Sequence, residues 1–158
     1  MPRKTTKALV RPKLPDRKYN SEMVQRLINR VMQDGKKQLA ERIVYDAIEE
    51  AARVLKNDNA IEVFDKAMKN VTPYMETRSR RVGGANYQIP FEVKGQRQKH
   101  LTIMWFIAAA RSKKGMPMYK RISNELVEAY NQTGTAFKKK EDTHKMAESN
   151  RAFAHFAR

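Results

Sequence analysis

Apolar residues recur at three- and four-residue spacing through most of this chain, and the stretch that departs from that period is residues 74–93. Met23, Val24, Leu27, Ile28, Val31 and Met32 form one stripe, which predicts a first helix opening at Asn20 or Ser21 and closing at Asp34-Gly35. A second helix is predicted over residues 37–55, with Leu39, Ile43, Ala47, Ile48, Ala51 and Leu55 facing inward. Asn57-Asp58-Asn59 breaks it, and Asn59 with Glu62 has the spacing of a capping box. A third stripe, Val63, Phe64, Ala67, Met68 and Val71, ends before Pro73. Residues 96–112 start polar and finish apolar all round, which places that helix mid-bundle with Trp105 in the core. Met118, Ile122, Leu126 and Ala129 mark a fifth helix, with Pro117 at its first position and Gly134 at its end. Met146, Ala147, Phe153 and Phe156 suggest a long, weakly amphipathic last helix with a frayed end.

Within residues 74–93 the period changes to two. Tyr87, Ile89, Phe91 and Val93 alternate with Asn86, Gln88, Pro90 and Glu92, and Gly83-Gly84 separates them from a first arm carrying Arg78, Arg80 and Arg81. A glycine pair between extended runs signals a hairpin, because such a turn needs positive φ. Pro90 removes a ladder donor, which suits an edge. A lone hairpin is marginal in water, so something must hold it. The fold class is therefore mainly α: a six-helix bundle, one protruding two-stranded β-hairpin at about 73–93, and a basic extended N-terminal arm. The arm is residues 1–18, where Pro2, Pro12 and Pro15 interrupt any helix, and residues 19–158 form one helical domain.

Charge narrows the partner. Thirty-three Lys and Arg against seventeen Asp and Glu give +16 over 158 residues. That excess implies a polyanion, and nucleic acid suits it better than a membrane surface, because no helix pairs a basic face with an aromatic one. Absence of cysteine excludes disulfides and thiolate metal sites. No apolar run approaches the ~20 residues that span a bilayer. His100, His144 and His155 lack ligand spacing and read as surface or RNA-facing histidines. No serine sits in a nucleophile elbow, and Gly83-Gly84 lacks the rest of a phosphate loop. No cofactor is implied. A major-groove DNA binder and an RNA-modifying enzyme are the competing classes. The first lacks a recognition helix, since the basic clusters sit at ends and loops; the second lacks a nucleophile.

Five motifs go further. Leu14-Pro15-Asp16, Asp34-Gly35-Lys36-Lys37, Ser79-Arg80-Arg81-Val82-Gly83-Gly84, Tyr87-Gln88-Ile89-Pro90 and the tail from Gly134-Thr135-Ala136 to Ala152-Phe153-Ala154-His155 closely resemble the bacterial form of the small-subunit ribosomal protein seven family. The likeness runs through nearly the whole chain, in order. It implies a non-enzymatic, cytoplasmic constituent of the small ribosomal subunit. Such a protein binds small-subunit rRNA at a multi-helix junction in the head, nucleates head assembly, and lies beside neighbouring ribosomal proteins. Its hairpin lies near exit-site tRNA and the mRNA path, and some members repress their own operon. Carried over, the rRNA-binding positions are Arg3, Lys4, Lys7, Arg11, Lys36, Lys37, Arg78, Arg80, Arg81, Lys94, Arg97, Arg111, Lys113 and Lys114. The tRNA-proximal tip is Val82, Gly83, Gly84 and Ala85. Gly95 stands where the family usually has proline, which loosens the hairpin's exit, and Met104 and Ala108 replace an arginine and a glutamate that many members carry.

Overall fold

The computed structural model describes residues 14–157. Six α-helices and a hairpin follow in the order α1 (Glu22–Val31), α2 (Lys37–Val54), α3 (Ala60–Val71), β1 (Met75–Val82), β2 (Ala85–Glu92), α4 (Gly95–Ser112), α5 (Met118–Tyr130) and α6 (Gly134–Ser149). A 3-10 helix, Arg151–Ala157, completes the chain described. The predicted basic arm lies outside these residues but for its root. There Asp16, almost fully buried, accepts from the Lys18 and Tyr19 amides at 3.0 and 2.9 Å and from the Tyr45 hydroxyl. That carboxylate ties the arm's exit to α2.

The core gathers the stripes of α1 through α5. Leu27, Ile28, Val44, Ile48, Val63, Phe64, Phe106, Ile122 and Leu126 are all completely buried in it. Ser21 caps α1, its Oγ accepting from Val24 N at 3.5 Å. Asp34 and Gly35 both take positive φ in the turn that follows. α2 and α5 end on Schellman motifs: Asn57 N donates to Ala52 O at 3.0 Å, and Thr133 N to Glu128 O at 2.8 Å. Lys56 and Gln132, at φ 52 and 58, occupy the left-handed position that glycine usually fills.

Several details differ from the sequence pattern. On α2 the predicted Ala47, Ile48 and Ala51 are completely buried and Ile43 and Leu55 are half-buried against the core, but Ala40, Val44 and Ala52 are buried too, while Leu39 is 52% exposed. α2 packs against α1, α3 and α5, and small residues on its buried side suit that close packing. Asn59 does not close a capping box; its own amide donates instead to Asn57 Oδ1 at 2.9 Å. Pro117 is the N-cap of α5, not its first residue, and α5 stops at Tyr130, short of Gly134, which opens α6. Trp105 is half-buried at the surface, beside Ala108, Thr135 and Lys139, rather than in the core.

β1 and β2 pair antiparallel from Met75–Glu92 to Val82–Ala85, leaving Gly83-Gly84 as a two-residue turn at φ 57 and 89. Positive φ at both positions is the primed turn whose twist matches the strands. The last segment is not one frayed helix. α6 ends at Ser149, and the 3-10 helix packs on β2, with Tyr87 set against Phe153 and Phe156 at 5.0 and 5.7 Å. Met146, read from the sequence as part of the apolar face, is 45% exposed, whereas Ala147 is buried. Among the described residues no helix is long and apolar enough to cross a membrane.

Candidate nucleic-acid interface

The hairpin's arginines are held differently from one another. Direct cross-strand partners share a face, so Glu76, Arg78 and Arg80 lie with Phe91, Ile89 and Tyr87, and Arg81 lies opposite with Asn86. Glu76 is buried at 6% exposure. Arg78 grips one of its oxygens, with Nε at 2.6 Å from Oε1 and Nη2 on the same atom, and the guanidinium also sits 5.4 Å above the Phe91 ring. Arg97, from the first turn of α4, holds the other oxygen through Nε at 3.2 Å and Nη2 at 2.9 Å. Burial pushes the Glu76 carboxyl up, but the hydrogen bonds from Arg97 and then Arg78 outweigh it, and its pKa lies below the usual range. Arg80 Nη1 donates to the Phe156 carbonyl at 2.8 Å. Lys94 pairs with Glu92 at 2.8 Å on an exposed corner.

The hairpin's root is fixed by α6. The Tyr74 amide donates to His144 Nε2 at 3.2 Å, and the two rings lie 3.9 Å apart. Burial, then the neighbouring Lys140, pushes the His144 pKa down and keeps the ring neutral. This histidine is therefore part of the hairpin's mounting, where the sequence suggested a surface or RNA-facing group. Pro90, on the polar side of the alternation, is buried beside Tyr74, Met75, His144 and Ala147.

A second group of cations forms at the far end of α4. Lys36 and Arg111 line one groove with Arg121, over an apolar floor that includes Val31, Leu39 and Met118. Arg111 donates to the Arg30 carbonyl at 3.2 Å, and Arg121 Nε to Met116 O at 2.6 Å, so both are oriented by backbone. Lys37 pairs with Glu41 at 3.6 Å, one helical turn on, which offsets its unfavourable place at a helix N-terminus. Lys114 is exposed. Lys113 is turned inward, 2.9 Å from Glu125 Oε2 and 2.6 Å from Glu128 Oε1. Arg3, Lys4, Lys7 and Arg11 lie outside the described residues.

Other cations stand in these grooves without having been singled out by the sequence. Arg26 and Arg30, with Asn29 and His100, line a cleft between α1 and α4. Their four-residue spacing on the polar side of the α1 stripe was the available signal. Arg26 and Lys99 both bind Glu22, and these hydrogen bonds, Lys99's first, bring the Glu22 pKa down to about 2. Among the described residues no group of acidic or histidine side chains could hold a metal.

Residues 2–151 match the family model described as ribosomal protein S7p/S5e. The chain is 53% identical over 148 residues to small ribosomal subunit protein uS7 of Chloroflexus aggregans, covering 94% of both chains. It is 55% identical over 146 residues to the protein of that name from Nautilia profundicola, covering 92% of this chain and 94% of the relative. With the Thermosipho africanus protein it shares 54% over 150 residues, 95% and 96% of the two chains.

Proposed function

The chain belongs to the ribosomal protein S7p/S5e family, and from that premise we propose that it is a structural constituent of the small ribosomal subunit that clamps rRNA at a multi-helix junction in the head. The observation that carries this reading is the gathering of Lys36, Arg111 and Arg121, from three separate segments, around one groove in a protein of net charge +16. Lysine and arginine neutralise phosphates and release counterions, which supplies affinity without reading sequence. Specificity comes from the shape of the folded junction, since the deep groove of A-form RNA is closed to side chains.

Each carried-over position has a part in this reading. The arm, with Arg3, Lys4, Lys7 and Arg11, follows the RNA backbone away from the Asp16 anchor, while residues 19–158 act as the folded domain. Lys36, Lys37, Lys94, Arg97, Arg111 and Lys114 face phosphates, as do the hairpin arginines Arg78, Arg80 and Arg81. Lys113 serves the groove indirectly, by fixing the loop that carries Lys114. Val82, Gly83, Gly84 and Ala85 form a slim tip that suits approach to exit-site tRNA beside the mRNA path. Nucleation of head assembly and repression of the protein's own operon belong to the same reading, because both use the same RNA-binding face. The protein is not an enzyme.

Footprinting of small-subunit rRNA with and without the protein tests the proposal. Protection confined to a head junction supports it; protection elsewhere, or none, defeats it. Binding should weaken steeply with salt, and Arg81→Ala should lower the slope by roughly 0.7–0.9 for one lost phosphate contact.

A further inference from the structure

The buried carboxylate of Glu76 sits between two cations that the RNA-binding reading uses, and it comes from neither loop nor surface. We infer that Glu76 is a positioning residue: it sets the guanidinium planes of Arg78 and Arg97 before RNA arrives. The inference rests on the reading that these two arginines face rRNA.

Three observations carry it. First, the two arginines come from different elements, β1 and the start of α4, and they meet on opposite oxygens of one carboxylate. Second, each grips side-on through Nε and Nη2, so three N–H groups of each guanidinium are not used by Glu76 and stay on its outer edge. Third, Glu76 itself is buried while the side chains of Arg78 and Arg97 are 56% and 49% exposed. RNA therefore meets the cations and not the anion. An unbraced arginine has many rotamers to give up on binding, and a braced one has few. The Phe91 ring under Arg78 adds a second brace on that arm.

The sign of one substitution separates this from simple electrostatics. Glu76→Gln removes a negative charge, so charge alone predicts tighter RNA binding. Loss of positioning predicts weaker binding, by roughly three- to tenfold if one rotamer-rich side chain must be reordered. The probe is an rRNA fragment carrying the footprinted junction, titrated with the full chain. We expect Glu76→Gln to weaken binding in the wild-type background and to leave it unchanged or slightly tighter in the Arg78→Ala/Arg97→Ala background. Glu76→Asp, which keeps the charge on a shorter arm, should restore part of the affinity. Equal weakening in both backgrounds marks a general structural role and overturns the inference, as does tighter binding in the wild-type background. If Arg78→Ala/Arg97→Ala binds like wild type, the RNA reading of these two residues has failed instead. A readout on the unmodified protein keeps the test open should Glu76→Gln not fold. The Nε–H resonances of Arg78 and Arg97 should be resolved and slowly exchanging without RNA; averaged, fast-exchanging signals sink the idea.

Discussion

Lys113 Nζ lies 2.9 Å from Oε2 of Glu125, and Glu125 is completely buried. The same glutamate turns its other oxygen to the start of α6, where Oε1 accepts from Ala136 N at 2.9 Å. One carboxylate thus joins the loop after α4 to the head of α6, and a lysine that composition alone would give to RNA completes the join. Lys113→Ala leaves an unpaired buried charge, which should cost ~3–5 kcal/mol in urea unfolding. Adding Glu125→Gln should recover part of that loss. If the single variant unfolds within error of wild type, the pair does not support the loop.

The same lysine predicts an alkaline limit. Burial pushes its pKa down, but the hydrogen bonds it donates to Glu128 and Glu125 outweigh it, so the folded value lies above the unfolded 10.5. A raised folded pKa gives stability that is fully present below the unfolded value and lost as pH rises through the folded one. Unfolding free energy should therefore fall above pH 10.5 more steeply in wild type than in Lys113→Met. Parallel curves would refute it.

His144 predicts an acid-sensitive hinge. Its folded pKa is depressed below 6.5 by burial and then by Lys140, so the contribution is present above the unfolded value and is lost as pH falls through the folded one. A protonated ring cannot accept from Tyr74 N. The protection factor of the Tyr74 amide should drop as pH falls past 6.5, with the α1–α5 core unaffected. Unchanged protection through that range counts against the coupling.

Two glycines of positive φ should respond unequally to alanine. Gly83, at φ 57 on the open tip, has nothing within 4 Å of an added Cβ, so only the left-handed backbone is strained, by about 1 kcal/mol. Gly134, at φ 89, would set that Cβ 2.8 Å from the Cβ of Glu128 and 3.3 Å from Glu125 Oε1. Thermal unfolding should show Gly134→Ala as clearly the worse of the two, because α5 and α6 must also move apart. The reverse order would mean that the tip carries a constraint of its own.

The aromatic cover of the hairpin is separable from the helical core. Phe153→Ala/Phe156→Ala removes two ring contacts to Tyr87, worth roughly 0.5–1.5 kcal/mol each beyond buried area. Limited proteolysis should then cut within β1 or β2 while α1–α5 survive. Continued resistance of the strands would show that α6 alone suffices to hold them.

Much of this arrangement is legible in the sequence, for specific reasons. The stripes of α1 and α3 are strongly periodic: all five residues predicted for α3 are buried, and in α1 Val24, Leu27, Ile28 and Val31 are buried while Met23 and Met32 are half-buried at its edge. Gly83-Gly84 between alternating runs left one economical turn, and the structure uses it. What failed were choices settled by the partner surface. Leu39 and Ala40 are adjacent, and alanine is the inward one on a helix that packs against α1, α3 and α5. Trp105 sits in a run apolar all round, where periodicity cannot say which side meets α6. Phe153 and Phe156 share a helix-like spacing, but their partner Tyr87 is remote in sequence. At the candidate interface, the resemblance supplied the cations but not their aim. Lys113 is turned inward to Glu125, and one N–H of Arg80 is held by the Phe156 carbonyl, through long-range packing that local sequence does not encode.

Arg80 and the carbonyl it binds are 76 residues apart. At ~5–20 residues per second of synthesis, that separation corresponds to roughly 4–15 s. During that interval the arginines of the new hairpin and the ring of Tyr87 are already made, while the segment that will cover them is not. A nascent chain of this protein therefore passes through a stage in which the hairpin is made and its latch is not.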